Sequence, residues 1–119
     1  MVSNMLLSLV SLVLLACASS SAQRVGSASY APLPAGAEVQ VFTDANQLKQ
    51  PYEVVGLVSY DDPGKYHVLT VGDAIEPLKA KARELGANAI IMGQSHPVKS
   101  GIWSTGIYAE AQAIRIKGQ

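Results

Sequence analysis

Residues Asp73–Gly93 read DAIEPLKAKARELGANAIIMG, and this stretch decides the fold. Ile75, Leu78, Ala82 and Leu85 recur at steps of three, four and three, which sets them along one stripe of a helix. Lys79, Lys81 and Arg83 then turn largely to solvent. Asp73 and Glu76 stand early and the cations late, so the charges oppose the helix dipole, and Gly86 suits the left-handed position that ends a helix. The spacing predicts a helix from about Asp73 to Leu85, beginning close enough to Pro77 for that proline to fall within the first turn. Ala87-Asn88 turns directly into Ala89–Gly93, AIIMG, a short apolar run suited to a buried strand. A helix with a single apolar stripe has to cover a sheet, so an α+β domain is expected.

The flanking segments supply that sheet. Upstream, Glu38–Phe42 alternates polar and apolar residues as a half-buried strand does, and Thr43–Asn46 breaks it. Tyr52–Tyr60, YEVVGLVSY, is apolar on both faces, as expected of a strand with neighbours on both sides, and is expected at the sheet centre. Gly56 within it points to a bulge or a close approach by another element, and Asp61-Asp62-Pro63-Gly64 follows as a turn. Downstream, Ile107–Ile116 alternates, with Ala109, Ala111 and Ala113 on one face, small enough to let the helix approach closely. The expected order is β-β-α-β-β, one helix on a mainly antiparallel sheet. The second sheet face, with Val55, Leu57, Ile114 and Ile116, is left to solvent or to an oligomer.

Ahead of this domain, 37–119, the chain changes character. Met5–Ala18 is an uncharged apolar run of signal-peptide length, too short to span a bilayer comfortably. It ends in Leu14-Leu15-Ala16-Cys17, which resembles the lipobox of bacterial lipoproteins and nominates Cys17 as the lipid-attachment site, with 1–17 as signal peptide. Ala18 in place of an aspartate resembles an outer-membrane address facing the periplasm. Two departures stand beside this: Met1–Asn4 carries no Lys or Arg, and Leu15 is bulkier than usual. Cleavage after Ala18 or Ala22 would instead discard Cys17 and release a secreted soluble protein. Residues 18–36, rich in Ser, Ala, Gly and Pro, read as a flexible tether that lifts the domain off the membrane, with Leu33 touching the core.

Three stretches carry a family resemblance: Tyr52–Val58, Ala82–Gly93 and the alanine-alternating terminal strand. Together they resemble YbjQ-like domains and the related RcsF-type outer-membrane lipoproteins. The resemblance covers about Tyr52 to Ile116 and implies the same fold, a place in the envelope and self-association. YbjQ-like domains carry a heavy-metal-binding label, and RcsF-type proteins sense envelope stress with paired cysteines. This domain contains no cysteine, so neither a thiolate site nor a disulfide transfers.

The balance of nine acidic and nine basic residues in 119, with none before Arg24, gives no phosphate-binding surface, and scattered aromatics give no stacking platform; nucleic acid is excluded as a partner. His67 and His96 are the two imidazoles and would have to converge with a carboxylate to hold a metal, but their spacing forms no local signature. Asp61-Asp62 beside Pro63-Gly64 are turn residues before they are cation ligands. Gly101–Gly106 has glycines spaced like a phosphate loop but no following Lys, which removes that reading. Gln94–Gly106 reads as a long loop with the single tryptophan, Trp103, which either seals an end of the sheet or contacts a partner, together with His96. No cofactor is implied and no nucleophile has a base beside it. The expected function is that of a non-enzymatic, lipid-anchored envelope protein that binds other proteins or itself, the alternative being a small-ligand or metal-binding module.

Overall fold

In a computed structural model describing residues 18–65, 67–99 and 101–118, helix α1 spans Val71–Glu84. The strands are β1 Ser19–Arg24, β2 Gln40–Phe42, β3 Tyr52–Asp62, β4 Ala89–Lys99 and β5 Thr105–Ile116, and a 3-10 turn, Ala45–Gln47, follows β2. Met1–Cys17, and with them the expected signal peptide and the expected lipid-attachment residue, lie outside the described residues.

The α+β reading stands: one helix packs on a five-stranded, mostly antiparallel sheet of order β1-β3-β5-β4-β2. β5 runs antiparallel to both β3 and β4, so those two are parallel, and α1 makes the crossover between them. β2 adds to β4 in parallel. The middle strand is β5 rather than β3, because β4 and β2 both lie on the far side of β5; β3 still has the two neighbours expected of it, since a strand that sequence reading left out, β1, pairs with its outer edge. Ser19–Arg24, expected as the start of a free tether, pairs antiparallel with β3 from Ser19↔Asp61 to Arg24↔Gly56. The rest of the expected tether is also fixed to the domain. Tyr30 packs against the core, the Leu33 amide donates to the Arg83 carbonyl at 2.8 Å, and Arg83 Nε donates to the Ala37 carbonyl at 2.7 Å. Arg83 therefore faces the N-terminal segment, not open solvent.

The core lies between α1 and the sheet. Ala74, Leu78 and Ala82 from the helix meet Val55, Val58, Ile90 and the alanines Ala109, Ala111 and Ala113, all buried. Small side chains on both partners bring the layers close, as the alternating alanines predict. Ala74, not Ile75, is the buried member of the first turn, four residues before Leu78 as Leu78 is before Ala82, and the helix begins two residues earlier than expected. Asp73 supplies the reason: its carboxylate accepts the Thr70 amide at 2.7 Å, fixing Thr70 as the cap. Pro77 consequently lies inside the helix rather than in its first turn, and the Asp73 carbonyl forgoes the bond that an amide at 77 would give.

A bulge at Val54/Gly56 resets β3 against β5. Val54 pairs with Ile114 on the far face, but Val55 is the extra residue and turns into the helix-side core, which corrects its expected placement on the open face. Gly56 serves both roles foreseen for it. It adjoins the bulge, and a Cβ there would meet Leu85 Cδ1 and, at 2.6 Å, the Gln23 carbonyl of β1. Gly86, at φ +76°, closes the helix, and Asn88 then clamps the end of β5: its Oδ1 accepts the Ile116 amide at 2.8 Å and its Nδ2 donates to the Ile116 carbonyl at 3.2 Å.

Candidate functional site

The sheet face away from α1 is divided by what β2 carries. Phe42 and, after the 3-10 turn, Leu48 cover Ala89, Ile91, Ile114 and Ile116 in a second apolar cluster. Ile114 and Ile116 are thus on the far face as expected, but buried within the chain itself. β2 reaches only as far as Ile91 on β4, so the remainder of the face is bare.

That bare half is an open trough of about 470 Å³, floored by β3 and β5 and flanked by β1 and β4. Paired rows place Leu57 beside Gln112 and Ser59 beside Glu110, with Ser21 and Gln23 of β1 opposite Ser59 and Leu57. Leu57 is 48% exposed and is the main apolar side chain at its surface. The Ser21 and Ser59 hydroxyls share a hydrogen bond of 2.6 Å. Tyr108 donates to Glu110 Oε2 at 3.2 Å, and this bond, ahead of burial, raises the phenol pKa, so Tyr108 stays neutral at physiological pH. Gln23 and Gln112, both exposed, each offer an amide that donates and accepts. Sequence reading found Leu57 but missed its neighbours, because the trough exists only once β1 has joined the sheet, and SSSAQR has no apolar alternation to announce a strand.

The residues expected to make contacts are gathered at one end of the sheet. Gln94–Gly106, read as a long loop, is mostly strand: β4 runs through His96 and Pro97 to Lys99, and a turn joins it to β5. Pro97 is tolerated because β2 stops short, leaving this part of β4 an edge. His96 stacks on Tyr108 with ring centroids 5.0 Å apart, and its Nδ1 lies 3.3 Å from the Pro97 carbonyl oxygen. Trp103 is 81% exposed at the turn and Ile102 is 92% exposed, so Trp103 does not fold back to seal the sheet. His67 is exposed in the segment between β3 and α1, where its carbonyl accepts the Thr105 amide at 2.9 Å. Among the described residues no group of three His, Cys, Asp or Glu side chains is placed to hold a metal ion, and no helix is long and apolar enough to cross a membrane.

Two further tyrosines fasten the periphery. Tyr60 donates to Asp62 Oδ2 at 2.6 Å, and burial together with that bond raises its pKa to about 12. Tyr30 donates to Glu53 Oε2 at 2.6 Å, which raises its pKa, while the Arg115 guanidinium lies 5.2 Å from its ring centroid and donates to the Gly86 carbonyl.

No family model matches the chain, and no curated protein matches it. Among solved structures it is similar to the Francisella virulence factor FvfA in its orthorhombic crystal form, with a TM-score of 0.53 and 13% identity, covering 80% of this chain and 96% of that one. The likeness is one of fold.

Proposed function

We propose that this chain is a lipid-anchored envelope protein, held through Cys17, that works without catalysis by binding another protein on the open half of its sheet. The observation that carries the reading is the trough itself. It is broad and open rather than enclosed, it mixes apolar side chains, Leu57 the most exposed of them, with amide and hydroxyl groups, and its charged side chain is Glu110. Interfaces between proteins have this mixed composition, with apolar contact at the middle and polar groups around it. Glu110 and the two glutamines favour a partner that brings a cation and extended backbone. The sequence resemblance to YbjQ-like and RcsF-type envelope proteins supports the same reading and adds self-association as one form of it.

A photo-reactive amino acid at position 112 tests the proposal in intact cells. A discrete crosslinked species, lost when Leu57→Arg is added, is the expected result; a chain that crosslinks to nothing there, while the protein is present and folded, sinks it. Size exclusion at increasing concentration separates a second copy from a different protein. The trough's volume also lies within the roughly 300–1,000 Å³ typical of small-ligand sites. In that case a ligand from a cell extract would protect Gln112 from crosslinking without changing the protein's size.

A further inference from the structure

From the strand topology and the exposed turn, we propose that the end of the sheet bearing Ile102 and Trp103 rests against a lipid bilayer, with the β4–β5 turn entering its interfacial zone. This inference rests on the Cys17 anchor for its geometry and on the turn for its chemistry.

The geometry comes from register. Ser19 lies opposite Asp61, and Asp62 lies opposite Ile107, so the start of β1, the end of β3 and the turn end of the β4–β5 hairpin are at the same edge of the domain. Because β1 is a strand and not a tether, only Ala18 stands between Cys17 and Ser19, and the two steps of extended chain reach at most about 3.6 Å each, or about 7 Å in all. A lipid on Cys17 therefore draws this edge to the membrane surface. No room is left for the domain to stand clear of it.

The chemistry fits that position. Beyond Asp62 the hairpin continues past its β3 neighbour through the rows Val98↔Gly106 and Lys99↔Thr105 to the turn with Ile102 and Trp103. It is braced by a parallel bridge from Val68 to Thr105 and by the Leu69 amide on the Thr105 carbonyl at 2.8 Å. Val68, 73% exposed, and Val71, 43% exposed, lie at the same end. No acidic residue occurs from Gln94 to Ala109, and Lys99 flanks the turn. The other ionisable groups of this end are Lys65, His67, His96, Asp61, Asp62 and Asp73. Asp62 is held by Tyr60 and by the Gly64 amide, and Asp73 by Thr70. Near-zero net charge directs the contact toward the lipid interface rather than toward anionic headgroups in particular, and an indole with apolar neighbours suits that zone, where one side is greasy and the other wet.

The test uses the mature full chain, purified from membranes and reconstituted into phosphatidylcholine vesicles with or without brominated acyl chains. Trp103 is the single tryptophan, so emission excited at the red edge, where the tyrosines do not absorb, reports it alone. Quenching by the brominated lipid is expected, with none for a tryptophan moved to the opposite end in the variant Tyr52→Trp, Trp103→Phe. Emission from Trp103 that brominated lipid leaves unchanged, in protein that sediments with the vesicles and carries acylated Cys17, overturns the inference and leaves the anchor standing. Quenching in protein whose Cys17 proves unmodified supports the contact and removes the anchor. Shielding from iodide in native membranes without quenching by brominated lipid marks a protein on the turn and also overturns it.

Discussion

Replacing Gly56 with alanine tests the most economical piece of packing in the domain, the point where β3, β1 and the end of α1 meet. The new methyl would collide with Leu85 Cδ1 and stand 2.6 Å from the Gln23 carbonyl oxygen. Leu85 can rotate part of the way, but the carbonyl is backbone within the β1–β3 ladder, next to the bond from the Val25 amide to the Val55 carbonyl. Overpacking of this kind costs about 1–3 kcal/mol, and the fixed carbonyl argues for the upper half of that range. Alanine also restricts the unfolded chain, which offsets about 0.4–1 kcal/mol. The net expectation is a loss of about 1 to 2.5 kcal/mol, which for a domain of this size lowers Tm by about 4 to 20 °C. Calorimetry gives the total, and hydrogen exchange locates it: amides of Ser19–Val25 should lose protection first, because β1 has no buried residue to hold it once the register is disturbed. A variant as stable as the parent, with the Val25 amide still protected, would refute the claim that β1 is seated on Gly56.

Three other expectations follow from the same structure. Leu78, fully buried at the middle of the helix stripe, should cost about 2–5 kcal/mol when cut to alanine, read as a fall in the urea midpoint at unchanged m-value; a shift within error would mean α1 does not form the core. Asn88→Ala strips both bonds from the Ile116 backbone and should cost about 1–3 kcal/mol, with Ile116 and Lys117 amides exchanging faster; unchanged exchange there would refute the clamp. Tyr60 is raised from 10.0 to about 12, so the folded state keeps a proton that the unfolded state releases in that window. Stability is complete below pH 10 and falls as pH rises through 12; Tyr60→Phe should make the fall shallower in alkaline unfolding, and an identical slope would contradict the assignment.

The helix and the terminal strand were legible in the sequence because each buries one face with a regular period: Leu78 and Ala82 at four residues, Ala109, Ala111 and Ala113 at two. What was illegible shares a physical cause. β1 is an edge strand exposed along its whole length, so Ser19–Arg24 has no apolar period and reads like linker. Val55 follows a run of apolar residues on both faces, and only the pairing with β5 reveals that one of them is the bulged residue. The far part of β4 passes through His96, Pro97 and Lys99, an exposed edge that no buried face constrains. The candidate site inherits these blind spots. Leu57 was visible as an apolar residue facing outward, whereas Ser21, Gln23 and Gln112 become neighbours only through strand pairing. Trp103 drew attention by its rarity, but its exposure could be settled only by the hairpin that carries it outward.

Direct determination of the mature N-terminus tests the central claim, since the membrane-facing orientation and the use of the trough both depend on where the chain is held. Intact and peptide-level mass spectrometry of protein from the producing cell's membranes should find a chain that begins at Cys17 and carries acyl chains on it. A product that begins at Ser19 or Gln23, or that retains Met1 with Cys17 unmodified, would contradict the account.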